Sequence, residues 1–368
     1  MQMKLSEIAD AIGGKLIGNG EIEIETLAHP ADAEGIDTLA LAMEEELVES
    51  LASSKAIAAV VLTNSKMPAD AVEGYVEVGR ARVALAQLMK IYEKPVYYEN
   101  TIHSTAVIDP SASIGKEVSI GPFVYVGPHA AIGDGTILMA QITIGAEAII
   151  GEASLIHPGV RIGERVRIGE KCIIHHNASI GSDGFSFVTP EPGSVEEAKG
   201  LSSQGQVHAQ NLEITRINSV GSVSIGGHVE IGASTTIDRG TFSDTRIGRH
   251  TKIDNLVQVG HNVVIGENCM ICGQVGVAGS VTVGDRVVLA GQVGVADHIN
   301  IGNDVVVGGG SGIAFDIPDK TVAIGYPALP KNEATEQYMQ IRRLGSIYRD
   351  IPKLKSRLKA LETASEKG

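Results

Sequence analysis

The chain has no tryptophan, and aromatics make up only 4 % of its 368 residues. It has three cysteines, too few for a disulfide framework in a chain this long. Cys269 and Cys272 form a C-x-x-C, but no second pair and no suitably spaced histidine accompanies them, so they read as small core side chains. No run of 18 or more apolar residues is present, which excludes a membrane-spanning helix. The opening Met1-Gln2-Met3-Lys4-Leu5-Ser6-Glu7 lacks the apolar stretch and cleavage site of a signal peptide. Basic residues are outnumbered 30 to 44, and the net charge of −14 argues against a nucleic-acid binder, which needs cations to neutralise phosphates. Together these absences predict a protein of a reducing, cytoplasmic compartment.

Glycine, by contrast, is abundant, at 44 residues against a usual ~7 %. A glycine-rich, aliphatic, aromatic-poor chain suggests a repetitive β architecture, and the repeat is plain to see. Steps of six from Ile108 to Ile180 meet an aliphatic residue at all thirteen positions, nine of them followed by glycine. The period resumes at Ile225, Ile231 and Ile237, slips once, then runs unbroken from Ile247 to Ile313. These 28 hexads predict a parallel β-helix of about nine triangular coils. Each inward aliphatic stacks on its equivalents, and the small residue after it lets the chain turn a corner without a Cβ clash.

Three stretches depart from the period. Residues 1–100 read as a small α/β domain, with strands at 38–42 and 57–62, a helix over 43–55 between them, and a second helix over 80–92. Residues 101–320 form the β-helix, interrupted by an insertion at 182–224, where function tends to concentrate. Residues 321–368 form a helical extension with one helix over 334–349 and a second opened by Pro352. The charge reverses there. Residues 331–368 carry nine basic and five acidic side chains, against 21 and 39 in the rest, which suits docking to an acidic macromolecule.

A core of Ile and Val does no chemistry, so reactive groups must project outward. His261 lies two places after the inward Val259, in Asp254-Asn255-Leu256-Val257-Gln258-Val259-Gly260-His261-Asn262. Its ring should face outward among polar neighbours, where an imidazole can exchange a proton. His298 lies 37 residues on, two coils plus one residue, and should share that face about 10 Å away. No metal site is expected. A zinc site of the kind carbon-dioxide-hydrating β-helices use needs a histidine pair five residues apart on one coil, and the eleven histidines contain none.

The opening Leu5-x-x-Ile8-Ala9-x-x-Ile12-Gly13-Gly14-x-Leu16-x-Gly18 resembles that of the UDP-3-O-acylglucosamine N-acyltransferase family of lipid A synthesis. So do Gly181-Ser182-Asp183-Gly184-Phe185, the stretch from Ile231 to Gly240 and that from Ile253 to Val263. The resemblance covers essentially the whole chain. It implies a left-handed β-helix and a cytoplasmic homotrimer with active sites between neighbouring prisms. The reaction it implies is transfer of an (R)-3-hydroxyacyl group from acyl carrier protein to the 2-amino group of UDP-3-O-acylglucosamine. No cofactor is expected beyond the donor's phosphopantetheine. His261 would be the general base, Asp254 would orient it, and the Gly279 N–H would meet the oxyanion. His298 would contact the sugar nucleotide, Asn255 and Gln258 would line the cleft, and the basic tail would receive acyl carrier protein. The resemblance implies a nucleotide domain that holds uracil between aromatics, but residues 38–48 contain none, so either apolar side chains or Tyr97 and Tyr98 replace the stack, or the nucleotide is held differently. Two other functions fit a hexapeptide prism: the related UDP-N-acetylglucosamine O-acyltransferases, which lack the first 100 residues, and a non-catalytic scaffold.

Overall fold

The computed structural model describes residues 2–94, 101–200, 205–325 and 328–365. Tyr97 and Tyr98 fall outside them. The chain divides into two compact units, 1–97 and 98–368.

The first unit is a five-stranded sheet ordered Lys15–Gly18, Gly74–Val78, Ala58–Leu62, Thr38–Ala42 and Thr26–Ala28, with only the Lys15–Gly18 pairing antiparallel. Successive strand residues serve opposite faces. Leu39, Ala58 and Val60 pack with helices Leu5–Ile12 and Ala81–Tyr92, while Ala40, Ala59 and Val61 pack with Val48 and Leu51. The helix read over 43–55 is shorter. It runs Glu45–Ser50 and tightens into a 3-10 turn at Leu51–Ser53, because Ser50 and Ser53 hydroxyls return to the carbonyls of Leu47 and Ser50.

The second unit is a left-handed parallel β-helix with three walls of ten, ten and nine strands, most of them two residues long. Strand residues pair 18 apart, as in Ile120 with Leu138 and Leu138 with Ile156, so each coil repeats its predecessor. The periodic aliphatics form one continuous buried column from Ile120 to Ile313. The glycine after each aliphatic has a different task from the one read above. A Cβ on Gly248 would fall 2.5 Å from the carbonyl carbon of Gly266, one coil on. It is therefore the close approach of stacked backbones that demands glycine there. The left-handed turn residue lies two places further along, and it is usually not glycine: Glu147, Leu256, Asn262, Ser280 and His298 all have φ between 57° and 61°. Such corners cost about 1–2 kcal/mol each in isolation and persist only because the ladders on both sides fix them.

The period breaks twice. Ile168 pairs with Ile225 across the insertion, and Ile225 with Ile247 across a four-residue excess at 241–244. The C-terminal extension is one helix, Lys331–Ser365, with Pro352 inside it rather than two helices divided there. Proline suits a first turn, which is why it reads as a start; inside a helix it removes one hydrogen bond and crowds the carbonyl four residues back, yet here the helix continues through it.

The backbone argument predicts that Gly248→Ala lowers the thermal midpoint, by an overpacking cost of about 1–3 kcal/mol. Gly276→Ala, whose Cβ meets nothing within 4 Å, should leave the midpoint unchanged or raise it. Equal midpoints for the two variants in a melting experiment would refute the assignment.

Candidate active site

His261, Gly279 and Asp297 hold the same corner position in three successive coils, and His298 is the left-handed residue after Asp297. With part of the insertion they enclose a cavity of about 820 Å³. The insertion leaves the prism after Ser179–Asp183, runs as strand Phe187–Val188 and helix Ser194–Gly200, and returns through strand Thr215–Arg216, which pairs with Phe187–Val188. It presents Phe185, Phe187, Val188, Val195 and Ile214 to the cavity opposite the histidines. Phe185 and Phe187 meet edge to face at 4.9 Å, Arg216 covers the Phe187 ring, and Arg216 pairs with Asp183 at 2.9 Å. Lys199 reaches Asp297 at 3.3 Å, tying the insertion helix to the prism and holding the Asp297 carboxyl below the usual range.

The His261 ring is half-buried and wedged between two glycines. A Cβ on Gly279 would fall 2.7 Å from its Cε1 and Nε2, and one on Gly184 would fall 2.6 Å from its Cβ. Both positions therefore need glycine to admit the ring. Its tautomer follows from the hydrogen-bond network. Asn262 Oδ1 accepts from the Thr241 N–H at 3.0 Å, and its Nδ2 donates to the Ser243 carbonyl at 3.1 Å, which fixes which end of the amide is oxygen. That oxygen lies 3.0 Å from His261 Nδ1, so Nδ1 carries the proton and donates. Nε2 keeps its lone pair on the Gly279 side. Thr241 and Ser243 belong to the four-residue excess, so this break in the repeat is what secures the ring.

The Gly279 N–H donates to no protein acceptor among the described residues. Some equivalent amides are capped by the next coil, as at Lys116 by Asp134 and Glu267 by Asp285, whereas others, such as those of Glu164 and His261, likewise show no protein acceptor among the described residues. Above Gly279 the corresponding acid is Asp297, which Lys199 engages instead.

The other candidates are dispersed. Gln258 lies in a groove of about 590 Å³ beside the cavity, lined by Gly276, Gly294 and Gly312, and its Nε2 donates to Asp238 at 3.0 Å. Asp254 and Asn255 lie on another face, in a third groove with His175, Glu230 and Cys272. Asp254 Oδ1 accepts from the Asn255 N–H at 2.7 Å, and Asn255 Oδ1 from the Ala233 N–H at 2.6 Å. Within one chain Asp254 therefore does not orient His261, and Asn262 does. Of the cysteine pair, Cys269 is buried in the core but Cys272 lines that third groove. Asn262 was read only as a polar neighbour of His261, and Thr241, Gly184 and Asp238 were given no role from sequence. The first is next to His261, and the slip in the period marked the loop that carries Thr241.

Two family models match: the GMPPB C-terminal domain over residues 96–185 and the bacterial transferase hexapeptide (six repeats) over 244–279. A UDP-3-O-acylglucosamine N-acyltransferase of Ruegeria pomeroyi is 49 % identical over 356 residues, covering 96 % of this chain and 97 % of that protein. The chain belongs to the UDP-3-O-acylglucosamine N-acyltransferase family. UDP-3-O-acylglucosamine N-acyltransferase 1 of Francisella tularensis is 39 % identical over 98 % of both chains. Among solved structures, an Arabidopsis UDP-N-acetylglucosamine acyltransferase superposes with a TM-score of 0.51 at 25 % identity, over 61 % of this chain and 71 % of that one. Family membership makes the chain an acyltransferase. Among the described residues, no helix is long and apolar enough to cross a membrane.

Burial pushes the Asp238 carboxyl up, while the Gln258 hydrogen bond and nearby His261 pull it part of the way back. A raised folded value means Asp238 favours folding at acid pH and loses that contribution as pH rises through its folded value. Asp238→Asn should therefore gain thermal stability relative to the parent as pH goes from about 4 to 7. A difference that stays flat across that range would contradict the burial argument.

Proposed function

We propose that this acyltransferase moves an (R)-3-hydroxyacyl group from the phosphopantetheine thioester of acyl carrier protein to the 2-amino group of UDP-3-O-acylglucosamine, a step of lipid A synthesis. The observation that carries this reading is the His261 ring, with its Nδ1 proton committed to Asn262 and Nε2 open beside an uncapped Gly279 amide. Nε2 accepts the proton from the sugar nitrogen as that nitrogen attacks the thioester carbonyl. The carbonyl oxygen gathers charge against the Gly279 N–H. Collapse of the adduct forms the amide and breaks the C–S bond, and the imidazolium returns its proton to the departing thiolate. No metal or cofactor enters these steps.

His298, on the same cavity wall, contacts the sugar nucleotide. Gln258 borders the groove in which Gly276, Gly294 and Gly312 leave space for an acyl chain. Asp254 and Asn255 would reach a shared cleft from a second copy of the chain, which fits a homotrimer with active sites between prisms. A trimer also accounts for the exposed Ile341, Leu344, Ile347, Leu354 and Leu358 on the C-terminal helix, apolar surface that a lone chain leaves in water. The basic side chains of that helix suit an acidic carrier protein in the cytoplasm.

Two experiments test the reading. His261→Ala should keep its fold and lose acyl transfer by about 10²–10⁴-fold, scored by mass spectrometry of product from a defined acyl carrier protein donor and the amino-sugar nucleotide. Turnover near the parent's would end the base assignment. Arg342→Glu with Arg343→Glu should raise KM for the carrier-protein donor about tenfold at low salt, with little change for an acyl-phosphopantetheine donor. An equal loss with both donors would remove the helix from carrier recognition.

A further inference from the structure

Outside the cavity of His261, on the corner that follows strands Leu155–Ile156 and Ile173–Ile174, three histidines converge. His157 and His175 occupy the same place in successive coils, fixed by the pairing of Ile156 with Ile174, and their rings stack at 4.9 Å with planes 15° apart. His176 tilts onto His157 at 4.7 Å. One nitrogen from each ring lies within 4.8 Å of the others, the one group of three possible metal ligands of this kind among the described residues. From the next coil, Glu230 Oε1 stands 2.9 Å from His175 Nε2, and Lys252 reaches Glu230 at 3.6 Å.

We infer that His157, His175 and His176 form a binding site for a divalent transition-metal ion of the zinc or nickel type. Imidazole nitrogens select such ions over magnesium or calcium, which require oxygen donors. Three histidines with an open fourth position form a familiar donor set for zinc. Glu230, hydrogen-bonded to one of the three, supplies the carboxylate that usually sets a ligating histidine's orientation. The second stacked pair, His228 with His250 at 4.7 Å, lacks a third imidazole and serves as an internal control. The ligands come from two adjacent coils just before the insertion. A bound ion would clasp these coils together, a structural role, and His175 and Glu230 also line the groove that holds Asp254 and Asn255. The sequence expectation of no metal site rested on a five-residue spacing within a coil, whereas this site uses the 18-residue spacing between coils.

The test titrates zinc chloride into chelator-stripped full-length protein by calorimetry, in parallel with thermal unfolding. The parent should bind one ion per chain saturably and melt higher with zinc. His176→Ala, a change at an exposed side chain, should weaken binding at least about tenfold and abolish the zinc-dependent rise in melting temperature. His228→Ala and His261→Ala should both retain the parent's response. Anomalous diffraction from a zinc-soaked crystal of the parent locates the ion without any variant. No saturable binding, affinity unchanged in His176→Ala, or an ion located elsewhere would each overturn the proposal.

Discussion

Where stacked coils approach most closely, they leave no room for a side chain between an inward aliphatic and its corner, while elsewhere His157, His175 and Asp254 hold that same place, and this alternation of closed and open positions shapes the rest of the molecule. It sets glycine at positions such as Gly145, Gly232 and Gly248, where any Cβ would enter the backbone of the next coil. The corner itself is left-handed whatever residue occupies it, so Leu256 and His298 adopt φ values near +60°. A wall so over-determined fixes the backbone that carries its outward side chains, which is what pre-organised chemistry asks of a scaffold.

The candidate site sits where this regularity fails. The insertion delivers Gly184 and an apolar wall to one side of His261, and the four-residue excess delivers Thr241 and Ser243 to the other. Arg239, nearly buried, ties the two breaks together by donating to the carbonyls of Gly181 and Glu164. The prism thus supplies rigid placement, and the departures from it supply the walls of the cavity and the partner of the ring.

How much of this was legible varies with the range of the interaction. The period of six specified the β-helix, its inward column and both interruptions, because each coil contacts only its neighbours and the sequence repeats what the structure repeats. The shared face of His261 and His298 followed from the same counting. The role of Asn262 did not, since it depends on an amide whose orientation is set from Thr241 and Ser243, about twenty residues away. That Asp254 lies apart from His261 within one chain was not legible in the resemblance, because seven residues along this chain pass from one wall to the next. The length of the C-terminal helix was misread at Pro352, where a local preference for helix starts competes with continuation.

Distances along a wall of this molecule come in steps. Each coil adds one strand spacing of about 4.8 Å, so His261 and His298, two coils apart, stand close to two steps from one another. Deleting or duplicating 18 residues would change the reach between two bound groups by one such step while leaving every corner angle as it was. A family built on this prism therefore has a graduated scale at its disposal, with marks about as far apart as four methylenes of an extended hydrocarbon.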